Sequence, residues 1–258
     1  MKHLRGFNAH SSNLIETRIM TTQKNAGNTA VLRLFSSNSM RATLSQLVPH
    51  FERENGHSVS IVYDLASVTV QRILDGETGD VVIVNANAME ELVSKGRVVA
   101  GGHGNLAQSG VGVAVRAGTP RPDVSTIDAF RRALLDAKSI AHTTGGESGL
   151  YFARLIERLG ITAQVQAKTR TRPSGIIGKL LVSGEAEMAI QFAPQLLEVS
   201  GIDFVGPLPR ELQVISVMAA GILTAATQPE TARMLLRFLT SQAAQHMFKL
   251  MGYDLCAP

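Results

Sequence analysis

Asp80-Val81-Val82-Ile83-Val84 runs four β-branched residues together without a polar position among them. A strand with one solvated face alternates apolar and polar side chains. This one does not, so it reads as buried on both faces, as in a parallel sheet covered by helices. Working outward, residues 31–35 (VLRLF) and 58–63 (SVSIVY) read as two further strands. Between them, Leu44, Leu47, Val48 and Phe51 fall on one stripe of a helix over 40–54, and Gly56 stops it. Short helices over 68–74 and 88–95 follow the second and third strands, the last ended by Gly96. This β-α-β-α-β-α order predicts right-handed crossovers and a doubly wound α/β sheet.

The rest of the chain repeats the theme. Strands are expected over 110–118, 139–142, 165–168 and 187–192, and helices over 125–137, 150–159 and 174–183. Residues 202–209 and 212–223 read as extended, and Pro229 opens the first of two closing helices, to 239 and over 242–250. Two βα sets joined by extended segments near 109–115 and 205–216 predict two lobes with two strand crossovers. One lobe takes 30–110 and 213–258, the other 111–212, and a ligand lies between them at the carboxyl ends of the strands.

The 258 residues carry 25 Lys and Arg against 21 Asp and Glu, a formal charge of +4. With 45% apolar and 18% charged residues the chain is globular. The single cysteine, Cys256, excludes an intramolecular disulfide framework and a cysteine zinc site. No two histidines stand at ligand spacing on one helix, so neither metal nor cofactor is expected. Trp is absent, aromatics are 5%, and the positive charge is dispersed, which argues against nucleic acid as a partner. No apolar run is long enough to insert in a membrane. Residues 1–29 hold Lys2 and Arg5 but no apolar core of a secretory signal, and Met20 offers a second start. They read as a disordered extension, and the expected location is cytoplasmic.

Two strand-to-helix junctions are suited to an anion. Ser36-Ser37-Asn38-Ser39 follows the first strand, where free N–H groups and the helix dipole favour negative charge and hydroxyls add donors. Ordinary helix capping is the competing reading. The matching junction is Thr143-Thr144-Gly145-Gly146-Glu147-Ser148-Gly149, where glycines allow backbone N–H groups close to a ligand and Thr143, Thr144 and Ser148 can donate. A flexible glycine-rich connection competes with it. Ser67, before the helix at 68–74, joins the candidate ligand contacts, as does Gln191 at a strand end. Arg41 and the series Lys168, Arg170, Arg172 could grip carboxylates, although Lys-Thr-Arg-Thr-Arg also fits a solvated edge. His142, ending the strand into the second junction, has a pKa suited to proton transfer.

Residues 110–141, GEAEMAIQ (184–191), GIDFVGPLPRELQ (201–213) and Ser36-Ser37 resemble type II periplasmic-binding-like proteins of the molybdate-binding type. Within that family the strings resemble most the branch that includes aconitate isomerase. The resemblance implies a two-lobe fold, each lobe a mostly parallel sheet flanked by helices. The family's usual Ser-Ser-Gly-Gly is Ser36-Ser37-Asn38-Ser39 here, its Gln-Gln pair is Gln191-Phe192, and its loop at 142–149 is shorter. It also implies two functions. One is an isomerase of a small di- or tricarboxylic acid; the chemistry of the residues themselves, not the resemblance, would make His142 or Glu147 the proton carrier and the junction donors the holders of the developing charge. The other is a solute-binding protein delivering an oxyanion or organic acid to an ABC permease. A cytoplasmic ligand sensor is a third, weaker possibility, since no helix-turn-helix precedes the domain.

Overall fold

The computed structural model describes residues 31–256; the extension expected over 1–29, with Lys2, Arg5 and Met20, lies outside the described residues. The chain opens with β1 (Leu32–Ser37), α1 (Arg41–Asn55), β2 (Val59–Asp64), α2 (Ala66–Leu74), β3 (Val81–Asn85) and α3 (Ala86–Ser94). β1 lies between β2 and β3 and is parallel to both. In β3, Val81 and Ile83 join one apolar core while Val82 and Val84 join another. The unbroken β-branched run is thus covered on both faces, as its composition demands.

β4 (Val98–Arg116) is a 19-residue strand that belongs to two sheets. Its residues 98–110 pair antiparallel with β9 (Ile215–Leu223), which is itself antiparallel to β3. From Val111 onward it pairs instead with β7 (Met188–Phe192) and β8 (Ile202–Pro207). At the change of partner, the Gln213 side chain replaces a strand: its amide accepts from Val111 N at 2.8 Å and donates to Val111 O at 2.9 Å. Gly110 makes room, since a Cβ there would stand 2.9 Å from the Gln213 amide. The early part of β4 contains Gly101 with φ 68° and two register shifts against β9, and a further shift against β8 falls between Val113 and Ala114.

The second half contains α4 (Ile127–Asp136), β5 (Ile140–Thr143), α5 (Glu147–Arg158), α6 (Thr162–Gln166), β6 (Thr169–Arg172), α7 (Lys179–Val182) and α8 (Ala193–Leu197). β5 is parallel to both β6 and β7. Each half is therefore a mixed sheet, three parallel strands extended by antiparallel neighbours. The first half closes with α9 (Pro229–Leu239) and α10 (Gln242–Leu250), whose Leu235, Leu239 and Phe248 join Leu32, Leu34 and Phe51 in its core. Buried Asp80 ties that closure down, accepting from the backbone N–H groups of Arg33, Thr227 and Gln228 at 2.8–3.0 Å. Among the described residues no helix is long and apolar enough to cross a membrane.

Two local expectations are corrected. Residues 165–168 are not a strand: Val165 is buried on α6, and the strand is the polar stretch 169–172, at the sheet edge. One apolar residue among Gln and Ala favours a helix, and alternating cations suit an edge strand that must not recruit another chain. The helix expected over 174–183 shrinks to Lys179–Val182, because Pro173 and Gly175, at φ 103°, hold the preceding residues in a loop.

Candidate functional site

A cleft opens where the parallel strands of both halves end. Ser37, Asp64 and Asn85, the last residues of β1, β2 and β3, line one wall, and Thr143, the last residue of β5, lines the other. Asn38 and Ser39 continue the first wall; Glu147 and Ser148, in the first turn of α5, continue the second. The described residues lining it include no Lys, Arg or His and two carboxylates, Asp64 and Glu147. Asp64 is paired with Arg72, whose guanidinium also binds Glu77 and holds that carboxyl below the ordinary range.

Two hydroxyls, one from each half, are the focus of the site. Ser37 is 7% exposed and Thr143 3%, and neither hydroxyl oxygen has a hydrogen-bond partner among the described residues. Neither is consumed by capping. Ser37 precedes the 3-10 turn 38–40 without a side-chain cap, and the N-cap of α5 is Gly146, which has no side chain to offer. A buried hydroxyl without a partner has lost its hydration for nothing in return, unless a ligand supplies the missing bond. Gly149 brings α5 tight against this point: a Cβ there would lie 1.8 Å from the Thr143 carbonyl oxygen.

Glu147 is anchored across the cleft. Its Oε2 accepts from Asn85 Nδ2 at 2.8 Å and from Ser216 Oγ, on β9, at 2.7 Å. Both donors belong to the other half. Gln191 also faces the cleft, yet its amide is occupied: Oε1 accepts from Ile177 N at 3.0 Å and Nε2 donates to Gly175 O at 2.8 Å. It shapes the loop that carries Ser174 and Gly175 into the cleft wall. At the floor, Tyr253 donates from its hydroxyl to Ser39 O at 3.0 Å. Burial pushes that phenol above its ordinary value, and the nearby Glu198 charge acts in the same sense.

Of the residues singled out in the sequence, the structure brings Ser37, Asn38, Ser39, Thr143, Glu147, Ser148 and Gln191 together around the cleft. It does not bring the others there. Ser36 is fully buried beneath the junction, its hydroxyl 3.3 Å from Ser37 O. Arg41 lies outside, its guanidinium 4.0 Å over the Tyr63 ring and 3.3 Å from Asn38 Oδ1. Ser67 and Thr144 are exposed outside the lining, and Thr144 N donates to Arg172 O at 2.9 Å. Lys168 donates to Leu135 O, Arg172 pairs with Glu185 at 2.9 Å, and Arg170 is exposed, so the series is a solvated edge.

His142 is the main correction. Its ring packs 5.1 Å from Phe152 inside the second half and its Nδ1 is bonded to Thr143 O at 2.8 Å. Burial holds the imidazole below its ordinary 6.5, opposed by that backbone bond. It therefore supports the junction from behind and does not face the cleft. Asn85, Ser109, Ser174, Gln195, Ser216, Met218 and Tyr253 line the cleft without having been singled out. Asn85 could have been found by the rule that selected Ser37, as the polar residue closing a parallel strand. Ser216, inside the apolar run of β9, carries no such signal.

Two α/β halves sharing one strand, with a donor-lined cleft at the carboxyl ends of their parallel strands, define a type II periplasmic-binding-protein fold. More narrowly, the chain belongs to the bacterial extracellular solute-binding protein family, whose model matches residues 32–254. It is similar to the aconitate isomerase of Pseudomonas sp, with 32% identity over 219 residues, 83% of each chain. Among solved structures, the periplasmic molybdate-binding protein of Azotobacter vinelandii superposes with a TM-score of 0.73 at 19% identity, covering 88% of this chain and 100% of that one. The sulfate-binding protein of Mycobacterium tuberculosis H37Rv gives 0.70 at 16% identity, covering 89% and 88%. At those identities the two structures speak for the fold alone.

Proposed function

We propose that this protein is an isomerase of a small di- or tricarboxylic acid, moving one proton along an allylic carbon skeleton held between its halves. The observation that carries this reading is the Glu147 carboxylate in the wall of a cleft whose other polar groups, apart from the paired Asp64, are neutral. A pocket that only holds an anion gains nothing from a carboxylate beside it, because like charges repel. A proton shift requires a base in that place. The 32% identity to an aconitate isomerase supports the same class of reaction.

In this mechanism Glu147 removes a proton from the methylene next to the carbon–carbon double bond. The electron pair delocalises over the three-carbon system, and negative charge builds on an oxygen of the substrate's carboxylate. The Ser37 and Thr143 hydroxyls, buried and without other partners among the described residues, donate to that oxygen. Glu147 then returns the proton to the far carbon, and the double bond has moved by one position. The atoms balance within substrate and base. While the intermediate lasts, the proton held on Glu147 trades with solvent, so hydrogen from water is also returned to the carbon.

Family membership favours a second reading, a solute-binding protein that hands an oxyanion or organic acid to an ABC permease. Incubation of the full chain with cis- or trans-aconitate in D2O, followed by proton NMR of the vinyl and methylene signals, separates the two. Interconversion with deuterium entering the carbon skeleton is the expected result. Tight binding without exchange assigns the protein to the carriers.

A further inference from the structure

Glu147 has two carboxylate oxygens in unlike surroundings. Oε2 takes both of the bonds that cross the cleft, while Oε1 has no hydrogen-bond partner among the described residues. The donors are themselves fixed. Asn85 is the N-cap of α3, and its Oδ1 accepts from Ala88 N at 3.0 Å. That cap settles which end of the amide faces the cleft, leaving Nδ2 to donate to Glu147. Ser216 is 4% exposed within the β4–β9 ladder opposite Ser109, so its hydroxyl has little freedom except toward the cleft.

We infer that Asn85 and Ser216 are positioning residues that clamp Oε2 of Glu147 from the opposite half, holding the halves together and leaving Oε1 as the oxygen that takes and returns the proton. The inference rests on the isomerase reading for the role of Oε1, whereas the clamp itself stands on geometry. Because base and clamp sit on different halves, the base is held in working orientation only when the cleft is shut. A substrate that shuts it thereby assembles the catalytic site, and an open chain does not exchange protons with bound acid.

The test uses the full chain with Cys256→Ser, and spin labels at Glu91→Cys on α3 and Arg154→Cys on α5, both exposed. Asn85→Asp keeps an oxygen to cap α3 but replaces the donor with a second negative charge facing Glu147. Ser216→Ala removes the other donor. Each is expected to shift the distance distribution between the labels to longer values by several ångström, and Ser216→Thr, which restores the hydroxyl, to return it. In the D2O assay the same two variants are expected to lose about tenfold or more in kcat with KM changed less than about threefold. Unaltered distances in both variants overturn the clamp, whatever the turnover. A loss in KM with kcat intact makes the two residues ligand contacts and overturns their positioning role. No turnover by the parent chain, with longer distances in the variants, retires the isomerase and the role of Oε1 while supporting the clamp.

Discussion

The two junctions that face each other across the cleft are made of opposite materials. The first, Ser36–Ser39, has no glycine and passes through a 3-10 turn before α1 begins. Its side chains supply the polar surface, and the Ser37 hydroxyl is uncommitted. The second, Thr143–Gly149, uses glycines so that α5 can start hard against β5, and its charged member, Glu147, is tied across the cleft. Under the proposed isomerase reading the first junction only holds the ligand, while the second both holds it, through Thr143, and acts on it, through Glu147. A symmetrical pair of anion cradles would have had no carboxylate on either side.

That division of labour can be broken by substitution. Glu147→Gln keeps the shape of the second junction but removes its base. Proton exchange measured by NMR in D2O should fall by about a hundredfold or more, while binding measured by calorimetry changes little or tightens. If exchange survives, the second junction is not the reactive one. A smaller effect is expected on the hydroxyls. Ser37→Ala and Thr143→Ala each remove one donor to a charged ligand, a loss of about 1.5–3 kcal/mol, so affinity should weaken about tenfold or more. Since neither hydroxyl has a partner among the described residues, thermal unfolding of the ligand-free variants should match the parent or exceed it. Ser36→Ala, beneath the junction, is the control and should leave affinity unchanged.

The smallest effect on function belongs to His142→Phe, which should leave exchange within about threefold of the parent, as fits a side chain behind the junction. Its signature lies in stability against pH. The folded-state pKa of His142 is depressed, so the neutral form's contribution is fully present above 6.5 and is lost as pH falls from there through the lower folded value. Urea unfolding across that interval should show a decline in the parent that is weaker in the variant. An equal decline in both would locate the acid sensitivity elsewhere.

Much of this was legible in the sequence where a single physical rule applied. Val81–Val84 could only be a strand covered on both faces, and Ser37 and Thr143 stood at the ends of strands where ligands gather. Residues 165–172 misled because an edge strand need not be apolar: its faces see solvent, so hydrophobic pattern says little there. His142 misled through parity. Neighbouring residues of a strand point to opposite faces, and with Ile140 in the core beside α5, His142 follows it inward. Ser216 was illegible for another reason, and for Asn85 the same holds of its partner though not of its place at a strand end. Both bond to Glu147, 69 and 62 residues away in the chain, and no local pattern encodes a partner that distant.

The sharing of β4 between sheets also governs how the molecule is made. β9 inserts between β3 and β4, so the sheet begun by β1 stays incomplete until residues 215–223 have been synthesised. By then the intervening half, 111–207, has already been synthesised with all its strands. At about 5–20 residues per second, the earlier strands wait roughly 5–20 s with an open edge after β4 emerges. The half translated first is the last to be finished, and it is during that interval, before any cleft exists, that the nascent chain most needs shelter from its neighbours.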